Sequence, residues 1–525
     1  MEPARAYSPA AAAAADASER VSVWRLELVV FLAGAATLAT EIAASRLLAP
    51  YFGSSTIVWA NIIGLILAYL ALGYWLGGRL ADRHPKRAVL GTILLASALS
   101  IAALPFVARP ILDVAVRGVD SVSVGAVVGS FVAALALFAL PVTLLGMVSP
   151  FAIRLALVDV ASAGTVAGRL YALSTAGSIV GTFVSAIVLI EALGTQRTMV
   201  VSGAVVALAA ALLLRPLALA APVVLAALVF VPPGGIKRGA DRLYEEESRY
   251  AYVSVRRNGD GSRSLQLNEG VASQSLWYRD SVLTGGYWDL FLLLPPLLSA
   301  SPERMLVIGN AGGTIARAYG RFYPQVQIDG VELDPVVTEA GRRFLGLADN
   351  PRLHVITADG RPYLRSTDQR YDLIVLDAYR QPYVPFYLAT VEFFDLVRAH
   401  LRPGGAVALN VAKVPGDHRL SDALGTTLLR VFPRAWRVPV LRFNDLLIAF
   451  VRAVPRSELA RRGAGVPDAV RPLVALFRRR LEPVRPTGAV LTDDRAPVEW
   501  LTDRMLVEQI RRGEGLDEDL LPTTP

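Results

Sequence analysis

Three acidic residues in the second half of the 525-residue chain each end a short apolar run. Glu332 ends the run in VELDP, Asp359 the run in ITADG and Asp377 the run in VLDAY. One acid after a strand is commonly a turn former or a helix cap. Acids after three successive strands of one sheet are typical of a binding or catalytic edge.

A glycine turn precedes these acids. Residues 306–314 read LVIGNAGGT, and Gly309 and Gly312 let the backbone approach a ligand closely. Glu332 follows roughly twenty residues later, where an acid can accept hydrogen bonds from both ribose hydroxyls. No phosphate-binding lysine follows the turn, and its spacing differs from the Gly-x-Gly-x-x-Gly turn of nicotinamide enzymes. The pattern favours a nucleoside with a small charged appendage, such as S-adenosylmethionine or a derivative.

The acids must be positioned by a parallel sheet. Five apolar runs (RMLVIG, VQIDGVELD, LHVITAD, YDLIVLD and GAVALNV) alternate with helical stretches after residue 300, which predicts a doubly wound α/β fold. Their carboxyl ends share one edge, where ligands of such sheets bind. Before them, residues 249–270 read as two strands around an Asn-Gly-Asp-Gly turn.

The first half of the chain is different in kind. With 54% hydrophobic and 19% charged residues, the chain is too apolar for an ordinary soluble protein. A spanning helix needs about 20 mostly apolar residues. We predict seven spans, preceded by a disordered tail over 1–22: 23–48, 57–79, 88–108, 122–150, 169–191, 198–214 and 216–232.

The basic loop RLADRHPKR, residues 79–87, is expected in the cytoplasm by the positive-inside rule. Seven spans would then place the C-terminal half outside, where an intracellular nucleoside is scarce. We give the chemistry more weight and expect the catalytic half to be cytoplasmic, on the same side as this loop.

Composition argues against two other classes. The net charge of +8 comes from arginines scattered among acids, with only three lysines, so we expect no nucleic-acid partner. The chain has no cysteine, and its four histidines are not paired at ligand spacing, so we expect no metal site.

These segments resemble the polyamine aminopropyltransferases (spermidine synthases), in particular the bacterial subset fused to a multi-spanning membrane domain. TEIAASRLLAPYFGSS and LALGYWLGGRLADR look like the membrane part, and VELDP, TADGRPYL, YDLIVLDAY and LTDDRAPVEWL look like the synthase part. The resemblance implies a membrane bundle over 23–233, a small β domain over 240–290 and a methyltransferase-like, Rossmann-type domain over 291–525. It is compatible with a homodimer in a lipid bilayer.

The family transfers an aminopropyl group from decarboxylated S-adenosylmethionine, a cosubstrate rather than a resident cofactor, to an amine such as putrescine. The products are spermidine and methylthioadenosine. The resemblance makes Asp377 the catalytic base and Glu332 the ribose ligand. It implies that Asp359 and Gly360 recognise the adenine and that Gln274 lies near the nucleoside.

The amine half of the site departs from the family. By resemblance Tyr287 and Arg380 line it, but Arg380 stands where a second aspartate is usual. Ala311 replaces the aspartate of the glycine turn, and Ala251 and Trp288 each replace a glutamine. An arginine would repel a diamine, since two unit charges ~4 Å apart cost about 4 kcal/mol at a surface-like dielectric.

Two alternatives stay open at this point. One is a transferase that uses S-adenosylmethionine itself with another acceptor, in which Arg380 would meet the carboxylate. The other is a membrane transporter or sensor whose second half binds a nucleoside without turnover.

Overall fold

A computed structural model describes residues 22–53, 55–117, 128–214, 219–231, 234–237, 239, 241–270, 272–380, 383–462, 465–512 and 521. The chain divides into two compact units, one covering the described residues up to 237 and the other those from 239 onward. The predicted tail, except Ser22, lies outside the described residues, as do the first part of the fourth predicted span and the break at Arg215-Pro216.

The first unit is a helical bundle. Among its described residues, five helical segments are long and apolar enough to cross a membrane: Val23–Phe52, Thr56–Arg83, Arg87–Ala115, Ser130–Ala156 and Val160–Leu193. The last two predicted spans are shorter helices, Thr195–Ala211 and Ala220–Leu228. We number the α-helices α1 (Val23–Phe52), α2 (Thr56–Arg83), α3 (Arg87–Arg117), α4 (Ser130–Gly146), α5 (Val148–Ala156), α6 (Ala163–Phe183), α7 (Ile190–Leu193), α8 (Thr195–Ala211) and α9 (Ala220–Leu228). The π-helical turn Val184–Leu189 joins α6 to α7.

Glycines bring the helices of this bundle into close contact. A Cβ added to Gly177 of α6 would lie 2.0 Å from the carbonyl oxygen of Phe31 in α1. One added to Gly73 of α2 would lie 2.3 Å from the carbonyl oxygen of Thr143 in α4. A larger residue would therefore separate the helices, which fits a packing role for these glycines.

The two ends of the bundle carry different chain segments. At the end of the 79–87 loop, Asp82 pairs with Arg154 at 3.3 Å. At the other end, where α1 finishes, the Tyr51 hydroxyl donates a 2.6 Å hydrogen bond to the carbonyl oxygen of Ile236. The chain thus leaves the bundle opposite the 79–87 loop. The compartment of the catalytic half stays a prediction.

The second unit begins with a four-stranded antiparallel sheet, in the order β1-β2-β3-β4. Its strands are β1 (Arg242–Glu247), β2 (Tyr252–Arg257), β3 (Arg263–Leu267) and β4 (Ser273–Trp277). The turn between β2 and β3 is the predicted one, with Gly261 at φ 83°. The sheet buries Val253, Val255 and Leu265 against the helix that follows Glu332.

An eight-stranded sheet forms the rest of the unit, in the order β12-β10-β11-β9-β8-β5-β6-β7. β5 (Arg304–Ile308), β6 (Gln327–Glu332), β7 (Leu353–Thr357), β8 (Tyr371–Leu376) and β9 (Leu401–Ala412) are parallel. β10 (Ala435–Leu441), β11 (Asn444–Phe450) and β12 (Glu482–Pro483) add antiparallel pairs. The chain order reverses between β5 and β8, which makes this a Rossmann-type sheet of the methyltransferase-like kind, as predicted.

Helices cover both faces of this sheet: α10 (Thr314–Phe322), α11 (Pro335–Phe344), α12 (Gly360–Ser366), α13 (Val391–Ala399), α14 (Arg419–Val431), α15 (Arg456–Arg462), α16 (Arg471–Arg480) and α17 (Val498–Arg512). Two of them start at acids that follow strands. Asp334 accepts from the amide of Val336, and Asp359 accepts from the amide of Arg361. Capping by these side chains fixes where the helices begin and so shapes the sheet edge.

Candidate active site

The crevice at the switch point is built by two loops that nearly touch. Gly309 follows β5 with φ 86°, and Asp377 follows β8. A Cβ added to Gly309 would lie 2.5 Å from the carbonyl oxygen of Asp377. Only glycine fits this approach, so Gly309 holds the two strand ends together. The turn then continues through Ala311, a non-glycine residue at φ 45°.

Glu332 ends β6 beside this turn. Its Oε2 accepts a 2.9 Å hydrogen bond from the amide of Ala311, and its Oε1 accepts a 3.1 Å bond from the amide of Asp334. Burial raises the pKa of Glu332, while the two amides oppose that rise. Each carboxylate oxygen has a second lone pair, so Glu332 can also accept hydrogen bonds from two ribose hydroxyls.

Asp359 ends the next parallel strand. Its Oδ2 accepts a 2.8 Å hydrogen bond from the hydroxyl of Tyr387. Gly360 follows it, and a Cβ there would lie 2.4 Å from Cγ2 of Ile308, so a larger residue would push α12 away from β5. Asp359 and Gly360 thus lie at the same sheet edge as Glu332, whose carbonyl oxygen accepts from the amide of Ala358 at 3.1 Å.

Asp377 lies among three neutral donors. The Tyr287 hydroxyl lies 3.1 Å from Oδ1 and 3.0 Å from Oδ2. The Trp288 indole Nε1 donates to Oδ2 at 3.2 Å, and the Asn410 amide donates to Oδ1 at 3.0 Å. Tyr287, predicted to line the amine site, is therefore a direct neighbour of the predicted base.

Burial sets the acidity of this carboxyl group. It raises the pKa of Asp377 from its ordinary 3.8 to about 7, even though Asn410, Tyr287 and Trp288 each stabilise the charged form. A general base is most useful when its pKa lies near the working pH. Asp377 therefore has the acidity expected of a group that accepts a proton near neutrality.

Sequence reasoning missed Asn410 and its support. Asn410 lies near the end of β9, and its Oδ1 accepts a 2.9 Å hydrogen bond from the amide of Asn444 in β11. The Tyr379 hydroxyl donates to the carbonyl oxygen of Asn410 and accepts from the amide of Ala412. A signal was present, because GAVALNV was already recognised as a strand that ends at the functional edge.

β4 contacts the glycine turn and the start of α10 through Ser275 and Leu276. Ser275 Oγ accepts a 2.8 Å hydrogen bond from the amide of Gly312, and the Thr314 hydroxyl accepts a 3.0 Å bond from the amide of Leu276. The amide of Gln274 contacts the carbonyl oxygen of Ala272 at 3.5 Å. Gln274 neighbours Ser275 in β4, and its place near the nucleoside stays a prediction.

The other substituted positions are distributed around the site. Arg380 is exposed, and its charge partly opposes the rise that burial causes in the pKa of Tyr387, the partner of Asp359. Ala311 donates its amide to Glu332. Ala251 is buried in the loop before β2, where its amide donates to Ser248 Oγ. Among these positions, Trp288 alone has a described contact with Asp377.

Comparison with known proteins gives a consistent result. Residues 287–440 match the spermine/spermidine synthase domain. The chain is 33% identical over 280 residues to a probable polyamine aminopropyl transferase of Bifidobacterium longum, a match that covers 49% of this chain and 61% of that relative. It is 27% identical over 239 residues to a polyamine aminopropyltransferase of Vibrio vulnificus, covering 44% of this chain and 79% of that one.

A solved structure of a probable spermidine synthase from Corynebacterium glutamicum aligns with 43% of this chain and 88% of its own length, with a TM-score of 0.36 and 20% identity. The chain spans less than two thirds of the length of the Bifidobacterium longum relative.

Proposed function

We propose that this chain, whose C-terminal half belongs to the polyamine aminopropyltransferase (spermidine synthase) family, is a membrane-anchored transferase. It would move an aminopropyl group from decarboxylated S-adenosylmethionine to a small amine. The observation that carries this proposal is the buried Asp377 carboxylate, held by Tyr287, Trp288 and Asn410 at the switch point of the sheet.

The nucleoside half of the donor would bind across the neighbouring strand ends. Glu332 would accept the ribose hydroxyls, and Asp359 with Gly360 would contact the adenine. Gly309 and Gly312 would let the turn lie close to the ligand. The support for this arrangement is that all five residues lie at or just beyond the carboxyl ends of β5, β6 and β7, where ligands of such sheets bind.

The reaction needs little covalent help from the protein. The amine nitrogen attacks the propyl carbon next to the sulfonium, the new C–N bond forms, and the C–S bond breaks with its electron pair going to sulfur. Methylthioadenosine leaves as a neutral thioether. One proton of the attacking amine passes to the Asp377 carboxylate. The contribution of the protein is orientation and proton acceptance.

The helices of the first unit would anchor the protein in the cell membrane, with the bilayer as its partner and a homodimer as its assembly. We place the catalytic half in the cytoplasm, because the donor is made there. The basic 79–87 loop then faces outward, against the positive-inside rule. The donor argument is given more weight because catalysis requires access to the cosubstrate.

Incubating the purified full-length protein with each sulfonium donor and a panel of amines tests the function. Release of methylthioadenosine from the decarboxylated donor supports the proposal. Release of S-adenosylhomocysteine from S-adenosylmethionine would replace it with a methyl transfer. Binding of methylthioadenosine without either product would indicate a transporter or sensor.

A further inference from the structure

The hydrogen bonds to Asp377 limit how many N–H groups of an acceptor amine this carboxylate can bind. A carboxylate offers about four lone-pair sites. The hydroxyl hydrogen of Tyr287 is shared between the two oxygens, and the Trp288 and Asn410 hydrogens take one site each. About one site remains, which is enough for a single N–H of a substrate amine.

Charge around Asp377 is equally restricted. Within the described residues, the side chains that stabilise the charged form of this carboxylate are the three neutral donors, Asn410, Tyr287 and Trp288. The positions where the family resemblance leads one to expect further acids are Ala311 and Arg380. A second ammonium on the acceptor would therefore lose its hydration without gaining a carboxylate, which is unfavourable.

Trp288 limits the space beside the base. Its side chain is 6% exposed and lies in the large apolar core that includes Leu290 and Phe291. The rings of Tyr287 and Trp288 lie 4.4 Å apart between centroids, so Tyr287 covers the indole. Because the indole is buried and covered, its face is closed to a substrate cation, and cation–π binding cannot replace the missing carboxylate.

We infer that the acceptor of this enzyme carries one amine on an uncharged body, and that Trp288 determines this preference. A monoamine places its nitrogen at the open site of Asp377 and its apolar chain against the Tyr287 ring, which covers Trp288. A diamine such as putrescine brings a second charge, which the neutral donors around Asp377 do not balance. The inference rests on the proposed aminopropyl transfer and names its acceptor class.

The test compares n-butylamine with putrescine, which share one carbon skeleton and differ by the second amine. With the full-length protein and decarboxylated S-adenosylmethionine, kcat/KM for n-butylamine should exceed that for putrescine by about tenfold or more. Trp288→Gln opens the pocket and should reduce the ratio at least severalfold, while Trp288→Phe should largely keep it. Trp500→Gln is the matched control, because Trp500 is exposed on α17.

A ratio at or below one, with methylthioadenosine formed, would overturn the acceptor class and leave the proposed transfer standing. If no methylthioadenosine forms with any amine, the transfer itself fails. Calorimetric titration of both amines into the protein with bound methylthioadenosine then decides the inference separately. Tighter binding of n-butylamine supports a monoamine pocket, and equal or tighter binding of putrescine contradicts it.

Discussion

The side-chain amide of Asn410 donates a 3.0 Å hydrogen bond to Oδ1 of Asp377, although the two residues belong to adjacent parallel strand ends 33 positions apart. Asn444 fixes the orientation of that amide by donating to its Oδ1. Asp377 is therefore positioned in part by a neutral chain of two side-chain amides.

Replacing Asn410 with alanine should raise the pKa of Asp377 further. The lost bond favours the charged carboxylate, and hydrogen bonds to charged groups are worth ~1.5–3 kcal/mol. Since one pKa unit corresponds to about 1.4 kcal/mol, the acid limb of the pH profile of kcat/KM should move upward by roughly one unit or more. Asn444→Ala should move it less, and an unmoved limb in Asn410→Ala would show that Asn410 only packs.

Glu332→Ala should weaken methylthioadenosine binding by at least about tenfold, because two hydrogen bonds to a charged group are lost. Isothermal titration calorimetry measures this directly. Glu339→Ala is the matched control, since Glu339 is exposed on the following helix. Unchanged affinity in Glu332→Ala would remove the nucleoside from this sheet edge.

Asp377→Asn should stabilise the protein at neutral and higher pH. The folded pKa of Asp377, about 7, lies above the ordinary value of 3.8, so the folded state binds the proton more tightly. The contribution of Asp377 to stability then becomes less favourable as the pH rises from about 4 to about 7. Asparagine does not titrate, so the variant does not lose this stability as the pH rises. Thermal unfolding of both proteins at pH 5 and pH 8 should show the larger gain in Tm at the higher pH. A lower Tm of the variant at pH 8 would argue against a carboxyl group whose pKa is raised by burial.

Reporters should place the two ends of the bundle in different compartments. A compartment-sensitive fusion after Lys86 and another after Pro525 should give opposite readouts, since Ile236 contacts Tyr51 at the end opposite the 79–87 loop. The C-terminal fusion should read cytoplasmic. Identical readouts would contradict the bundle, whereas a cytoplasmic Lys86 with an external C-terminus would place the catalytic half away from its donor.

Sequence reasoning was effective where a local pattern has one structural outcome. Apolar runs alternating with helices define a parallel sheet, and that fold brings Glu332, Asp359 and Asp377 to one edge. Sequence reasoning was weaker where two side chains come into contact only because of how the strands pair. Asn410 and the Trp288 indole are neutral, so nothing in their residue types marked them as partners of a base. Ser275, which accepts from the amide of Gly312, was not predicted, and β3 and β4 shift register between Leu265 and Gln266, which sequence parity cannot reveal.

The sidedness of the catalytic half stays a prediction. Hydropathy gives the spans but not which loop meets which helix end. The contact between Tyr51 and Ile236 joins residues 185 positions apart and needs the packed bundle.

The central claim is that Asp377 is the base that accepts the proton of the acceptor amine. Asp377→Asn keeps the shape and most of the hydrogen bonds but removes the basicity. Turnover measured as methylthioadenosine release should fall about 10²–10⁴-fold, while calorimetry shows methylthioadenosine bound within about threefold of the unchanged protein, well under the tenfold that 1.4 kcal/mol represents. Full turnover in the Asp377→Asn protein would contradict the account, because the carboxylate would then only end a strand.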